Sequence, residues 1–247
     1  ISFKSTDEFA LIAEQTNSMV AKLKERTEAV QLTQDVTILS LASLAETRDN
    51  ETGGHILRTQ RYVRALAEGL REHGLYEDEL TDGMIELLYK SAPLHDIGKV
   101  GIPDAILKKP GKLNETEWEE MRKHTCYGYD ALKIAEERLG SSSFLEIARQ
   151  IALTHHEKWD GSGYPNGLAG EAIPLAGKLM AVADVYDALI SKRVYKGAFS
   201  HETAVSMIRD GAGKHFSPQI ITVFLNKQDH FKTIAEEFRD QTMRGTK

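Results

Sequence analysis

Cysteine is almost missing from this chain. Cys126 stands alone among 247 residues. That excludes an internal disulfide framework and any cysteine-rich zinc site, and a reducing compartment is the simplest fit. Proline is scarce too. The six prolines, at 93, 103, 110, 165, 174 and 218, all fall at apparent element boundaries. No run of about 18 apolar residues occurs, so no segment reads as a membrane span. Positive charge is not in excess: 31 Lys and Arg face 37 Asp and Glu, a net charge of −6 with His neutral. Long nucleic acid is therefore not an expected partner. A small anionic ligand remains compatible, because bound divalent ions would offset much of that charge locally. Alternating strand patterns, repeats and low-complexity tracts are absent. The chain opens at Ile1 without an initiator Met or a signal-peptide pattern, and it reads as a piece of a longer protein.

What is present is helix. Residues 7 to about 47 read as one long helix or two in series, with Ile12, Thr16, Met19, Leu23 and Val30 at heptad-like spacing. Charged Lys22, Lys24, Glu25 and Arg26 lie between them, a pattern that suits a parallel two-chain stalk. From Val36 the helices grow richer in apolar residues, and a globular domain is expected to begin there. The spacing predicts further helices over 56–72, 79–95, 115–138, 143–157, 175–190, 201–211 and 218–226. Three glycine-bearing loops separate them: Gly98 to Leu113, Asp160 to Pro174, and Gly211 to Pro218. In such loops the backbone can approach a ligand closely.

Five of the nine histidines have unusual neighbours. His95 continues the apolar stripe of Met84, Leu88 and Ala92, and Asp96 follows it directly. A carboxylate at the end of a buried stripe needs a cation or several donors. Phe144, Ala148 and Ile151 run into His155 and His156, which Glu157 follows. Asp184 interrupts the apolar run Leu179 to Ile190 and asks for a partner. His124 is a weaker signal, in a charged stretch. His55 follows Glu51 across Gly53 and Gly54, with Thr52 as a possible helix cap. Together His55, His95, Asp96, His124, His155, His156 and Asp184, with Glu51, form a nitrogen and oxygen ligand set without sulfur. That set suits iron or manganese, and zinc or nickel less well. Eight candidates exceed what one ion needs, so a carboxylate bridging two or three ions is expected. Ions about 4 Å apart can activate a water and neutralise a phosphate. His73, His201 and His230 read as surface or capping residues, and His215 stays open.

The order and spacing of these residues resemble the HD-GYP family, a branch of the HD phosphohydrolases. The matching segments are Arg48-Asp-Asn-Glu-Thr-Gly-Gly-His55, Pro93-Leu-His-Asp-Ile-Gly-Lys99, Gly101-Ile-Pro103 and Leu107-Lys-Lys-Pro-Gly-Lys-Leu113. To these are added His124, the run from His155 through Trp159 and Tyr164 to Pro165, and Ala183-Asp-Val-Tyr-Asp-Ala-Leu189. The resemblance covers about residues 36 to 226. It implies an all-α HD-domain helical bundle, here behind a long coiled-coil-like helix. It implies hydrolysis of cyclic di-GMP to linear pGpG, GMP or both. His55, His95, Asp96 and Asp184 match the basic HD metal site. His124 and His155 match a second metal with Asp96 bridging, and Glu51 and His156 match a third. Lys99 matches a lysine on the scissile phosphate, and Tyr164 a tyrosine that touches a guanine. Arg193 and Lys196 match cations that contact the nucleotide. Two departures stand out: Ser217 where Asp is common, and Gly54 where Asn is common.

The first segment, Asp7-Glu-Phe9 with Ile12, Asn17 and Met19, resembles the second helix of a HAMP signalling linker. The expected division is therefore a linker helix at 1–35 and an HD-GYP domain at 36–247. That resemblance implies a homodimer joined through the N-terminal helix, forming the cytoplasmic end of a membrane-anchored bacterial sensor. Three other readings compete with a cyclic di-GMP phosphodiesterase; of these, an oxygen-activating di-iron protein is disfavoured by Lys99 and Tyr164 with the glycine loop, which suit a nucleotide, and two remain. One is a hydrolase of another cyclic dinucleotide, such as cyclic GMP-AMP. The other is a non-catalytic interaction module, which a degenerate ligand set would favour; none of the ligand positions is degenerate.

Overall fold

The computed structural model describes residues 8–48, 53–139, 144–191 and 198–238. Asp7, Glu51, Thr52, Arg193 and Lys196 lie outside the described residues. The chain divides into two compact units, Ile1–Ser40 and Leu41–Lys247. The described residues are helical, joined by turns and two isolated bridges. None of their helices is long and apolar enough to cross a membrane.

The first unit consists of the greater part of α1 (Glu8–Glu46). Its Ile12, Met19, Leu23 and Val30 are each more than half exposed. Thr27, Thr33 and Thr37 turn their hydroxyls back onto the carbonyls of Leu23, Ala29 and Thr33.

The second unit is built on α2 (Gly53–Glu72), α8 (Leu175–Ile190) and α10 (Pro218–Glu237). The α8 sequence is apolar on nearly every side, and its residues from Leu175 to Ala183 are all buried. A helix of that kind must lie inside a bundle. Aromatic rings lock the three helices together. Tyr62 of α2 stacks on Phe231 of α10 at 4.4 Å, and Tyr186 of α8 meets Tyr62 edge-on at 5.2 Å. Against them pack α3 (Asp82–Ser91), α7 (Phe144–Thr154) and α9 (His201–Asp210), while α6 (His124–Leu139) lies on α7 and is followed outward by α5 (Glu115–Arg122) and α4 (Asp104–Leu107). The starts of three helices are set locally. Thr81 caps α3 and Ser200 caps α9, and Asn114 with Glu117 forms a capping box on α5.

Five sequence expectations need correction, the first being the helix expected over 143–157, which ends at Thr154 and leaves His155 and His156 just beyond it. The helix expected over 79–95 ends at Ser91, and a 3₁₀ turn over Ala92–Leu94 leads into His95. Pro93 lies in that turn and cannot supply an α-helical N–H. The expected 115–138 helix breaks at Lys123 into α5 and α6, so His124 opens a helix instead of sitting within one. The Gly98–Leu113 loop contains a second 3₁₀ turn, Ile97–Gly101, and the short α4. The last helix runs to Glu237, because Phe231 and Ile234 keep it on the core beyond residue 226.

Two glycines bring the helix ends together. A Cβ on Gly98 would lie 1.9 Å from the His124 carbonyl oxygen and 2.4 Å from the Gly128 nitrogen. A Cβ on Gly177 would lie 2.1 Å from Thr154 Oγ1, where α8 crosses the end of α7. Backbone cannot yield as a flexible side chain can. Gly98→Ala should therefore destabilise the protein by about 2 kcal/mol or more. Gly83→Ala, where the nearest atom is 3.9 Å from the added carbon, should not destabilise it. Chemical denaturation checks both; equal midpoints for the two variants would contradict the packing argument.

Candidate metal centre

The ends of these elements converge on one place. His55 lies in the first turn of α2. His95 and Asp96 form the turn between the two 3₁₀ segments, and Lys99 lies in the second. His124 opens α6, His155 and His156 directly follow α7, and Asp184 lies in α8. Asp96, His124, His155 and His156 form one group, and His55, His95 and Asp184 form another. In each group the ligand-type atoms lie within 4.8 Å of one another. Asp96 joins the groups. Its Oδ2 is 3.2 Å from His95 Nε2, and its Oδ1 is 3.3 Å from His124 Nε2 and 3.6 Å from His155 Nε2. Every sequence-nominated ligand among the described residues is thus brought together.

The far sides of the rings decide which nitrogen carries the proton. His95 Nδ1 is 3.0 Å from the Ala92 carbonyl, His124 Nδ1 is 2.7 Å from that of Met121, and His155 Nδ1 is 3.0 Å from that of Ile151. A carbonyl only accepts, so each Nδ1 donates and each neutral ring turns a bare Nε2 lone pair inward. Among the described residues, Asp96 Oδ1, His124 Nε2 and His155 Nε2 are buried without a hydrogen-bond partner. His55 Nε2 faces His95 Nε2 at 3.4 Å. Acceptors facing acceptors in a buried site repel unless a cation lies among them. The residues present therefore fit a divalent ion, and their N/O character fits a hard-to-borderline one.

Burial alone would push the Asp96 carboxyl up. The Lys99 ammonium, the foremost opposing influence, holds it well below the usual carboxylate range. Lys99 Nζ is 2.8 Å from Asp96 Oδ2. Burial lowers His124 to about 4, against the pull of Asp96. Burial first, then neighbouring His155 and His124, lowers His156 well below the imidazole range. His124 and His156 are thereby kept as neutral imidazoles, the form that binds metal.

The second glycine loop walls one side. Buried Glu157 accepts the N–H groups of Asn166 at 2.8 Å and Leu168 at 3.0 Å. Trp159 and Asp160 donate their N–H groups to the carbonyls of His215 and Lys214 in the third loop. Tyr164 donates its N–H to the His156 carbonyl, and its ring stacks on the His156 ring at 4.7 Å. The Arg122 guanidinium lies 5.3 Å from the centre of the Tyr164 ring. Ser217, where an acid is common, leaves the third loop's backbone bonds intact, with Gly213 donating to the Phe216 carbonyl. His215 stacks on Phe216 at 4.2 Å.

Sequence reasoning missed several residues that hold the centre. Asp187 is 1% exposed and receives the His55 Nδ1–H at 2.9 Å. Burial pushes the Asp187 carboxyl up, but bonds from His55 and Arg58 hold it below its ordinary value. Arg58 Nε donates to Asp187 Oδ1 at 2.6 Å. Arg48 fastens the Lys99 turn by donating to the carbonyls of Val100 and Ile102 and to Asp104. The buried Glu46 carboxylate lies 3.8 Å from His55 Nε2. A buried acid in an apolar helix was a readable signal for Asp187, three residues after Asp184. The Arg58 and Arg48 contacts link residues far apart in the chain.

Burial also lowers His215 to about 4, like His124. Both protonate in the unfolded chain near pH 6.5 but stay neutral when folded. Stability of the metal-free protein should therefore be full above about pH 6.5 and decline as pH falls toward about 4. Denaturant midpoints measured at about pH 7.5 and about pH 5 check this, and His215→Gln should shrink the decline. Equal midpoints at the two pH values would contradict it.

A family model described as HD domain matches residues 45–220. A cyclic di-GMP phosphodiesterase of Vibrio cholerae is 58% identical over 236 residues, covering 96% of this chain and 48% of its own length. A probable cyclic di-GMP phosphodiesterase of the same organism is 49% identical, covering 94% of this chain and 53% of its own. The chain thus spans about half the length of these curated relatives. The crystal structure of a cyclic GMP-AMP specific phosphodiesterase of V. cholerae, V-cGAP3, matches with a TM-score of 0.57 at 17% identity. The match covers 85% of this chain and 51% of that one, and it shows a shared fold. The chain belongs to the HD domain family, as the HD-GYP resemblance of its motifs implies.

Proposed function

We propose that this chain is the metal-dependent catalytic part of a phosphodiesterase that hydrolyses cyclic di-GMP to linear pGpG, GMP or both. The observation that carries the reading is the pair of ligand groups meeting at Asp96, with a cationic Lys99 on that carboxylate. The names of relatives at 58% and 49% identity support cyclic di-GMP as substrate. The name of a V. cholerae relative at 42% identity, a 3′3′-cGAMP-specific phosphodiesterase, makes that dinucleotide the alternative. An interaction module without activity would have no need of these converging acceptors.

His55, His95, Asp96 and Asp184 are proposed to hold one divalent ion, and His124, His155 and Asp96 a second. Glu51 and His156 would serve a third. Iron or manganese is the proposed identity. Such ions, when bound, neutralise phosphate oxygens and acidify a water. The rest is the work of this chain's residues. The backbone carbonyls of Ala92, Met121 and Ile151 keep protons on Nδ1, so Nε2 stays available. Lys99 offers its ammonium to the phosphate, whose charge grows as water attacks phosphorus in line with the departing 3′ oxygen. Asp96 is already paired with the Lys99 ammonium, so it is a poor proton acceptor. The Tyr164 ring, backed by His156, offers a flat face to a guanine. Arg193 and Lys196, outside the described residues, are proposed as further nucleotide contacts.

The division into a HAMP-like helix at 1–35 and a catalytic domain at 36–247 is likewise proposed. So is a homodimer through that helix, in the cytoplasmic part of a membrane-anchored bacterial sensor. The exposed stripe of Ile12, Met19, Leu23 and Val30 supports the dimer, because these positions share one side at heptad-like spacing.

Two experiments follow. Product chromatography with manganese should show cyclic di-GMP consumed faster than 3′3′-cyclic GMP-AMP. Lys99→Ala should cut turnover about 100-fold or more at unchanged metal content, and Asp96→Ala should abolish turnover and lose metal. Full turnover in Asp96→Ala would remove the centre from the reaction. Separately, Leu23→Glu with Val30→Glu should halve the mass seen by light scattering. An unchanged mass would place any dimer contact elsewhere.

A further inference from the structure

The imidazoles of the two groups differ in what stands behind them. His95, His124 and His155 each give their Nδ1–H to a neutral main-chain carbonyl. His55 gives its Nδ1–H to a carboxylate, Oδ2 of Asp187, at 2.9 Å. Asp187 and Asp184 lie three residues apart in α8, so one helix face carries a ligand-type acid and the acid behind a ligand-type histidine.

Asp187 is not itself placed to take an ion. It lies on the Nδ1 side of the ring, whereas the other members of the group face Nε2. Its oxygens are also occupied. Oδ1 accepts from Arg58 Nε at 2.6 Å, and Oδ2 accepts from an Arg58 terminal nitrogen at 2.9 Å and from Ser191 Oγ at 3.3 Å. Arg58 is fixed in turn by the Phe238 carbonyl at 2.8 Å and by Ser191 Oγ at 3.1 Å. Asp187 and Arg58 are 1% and 3% exposed, so this is a charge pair in a dry interior. A buried ion pair is a weak source of stability, and its geometry is better explained by a task.

We propose that Asp187, neutralised by Arg58, is a positioning residue that acts through His55 and makes the two ion positions unequal, strengthening the one formed by His55, His95 and Asp184. A carboxylate behind Nδ1–H fixes the tautomer and ring angle, and it increases electron density at Nε2 more than a carbonyl does. The group around His124 and His155 lacks this reinforcement and is the weaker position. The inference rests on the reading that both groups hold divalent ions. It does not depend on which nucleotide is hydrolysed.

The test is a titration of the metal-free chain with Mn²⁺ alone, without oxygen or substrate, counting free ion by electron paramagnetic resonance. The unsubstituted chain should bind in two resolved steps, the tighter one lost in His55→Ala and the weaker one lost in His124→Ala. Asp187→Asn should weaken the His55 step about 10- to 100-fold and leave the other within about twofold. Circular dichroism checks the fold. If the lone Arg58 charge unfolds that variant, Arg58→Gln with Asp187→Asn removes both charges together and should show the same selective loss. Two things would overturn the proposal: a single step in the unsubstituted chain, or equal change or no change of the two steps in the substituted one. Failure of cyclic di-GMP turnover would leave these isotherms unaffected and would count against the proposed substrate alone.

Discussion

Bare imidazole nitrogens and a carboxylate oxygen directed at one another in a dry interior are the constraint on which the rest of this structure depends. Asp96 Oδ1 lies 3.3 and 3.6 Å from two Nε2 atoms whose rings have already used their protons elsewhere. Such a cluster is costly unless a cation joins it. The protein supplies one cation of its own, Lys99, on the other oxygen of Asp96. The Oδ1 side has no such group among the described residues. Where positive charge is still needed, the geometry is that of a metal site.

The fold meets this demand with helix ends and tight turns, not with one long surface. No single helix carries more than one member of the set, so the bundle must fix five chain segments against each other. The aromatic stack of Tyr62, Tyr186 and Phe231 does this for α2 and α8, which carry His55 and Asp184. Gly98 and Gly177 do it at the other end, where backbone meets α6 and the end of α7 at distances that no side chain would allow. Local sequence determines the tautomer of His95, His124 and His155, whereas that of His55 depends on distant Asp187. Each carbonyl partner lies three or four residues before its histidine, so the turn that carries the ring also supplies the acceptor.

That locality explains what could be read in advance. The ligand-type residues were legible because each stood out against its own neighbours: His-Asp after a stripe, paired histidines before glycines, an acid in an apolar helix. The boundaries at Pro93 and Lys123 were less so, since continuous periodicity hides a break that tertiary packing selects. The acid in α8 is instructive. The rule that a buried acid needs a partner pointed to Asp184, whose side chain is 18% exposed toward the centre, and it applied with more force to Asp187 at 1%. Their different roles depend on Arg58 and His55, which are more than 125 residues away. Arg48 stayed hidden for the same reason, because its partners, more than 50 residues away, become neighbours only in the folded chain.

Lys99 shows how separate supports add up to a chemical property. A lysine in a glycine-rich loop would ordinarily sample solvent. Here Gly98 presses its turn onto α6, and Arg48 ties the following carbonyls of Val100 and Ile102 from the other side. Held at both flanks, the ammonium has little freedom to leave the Asp96 carboxylate, and its side chain is only 13% exposed. A preorganised cation does not need to reorient when charge develops on a nearby phosphate. The same restraint that makes Lys99 a neighbour of the ligand set makes it suited to stabilise that charge. The Lys99 turn and the acceptor cluster are therefore better understood as one device, assembled by the contacts that join α6 to the 3₁₀ turn.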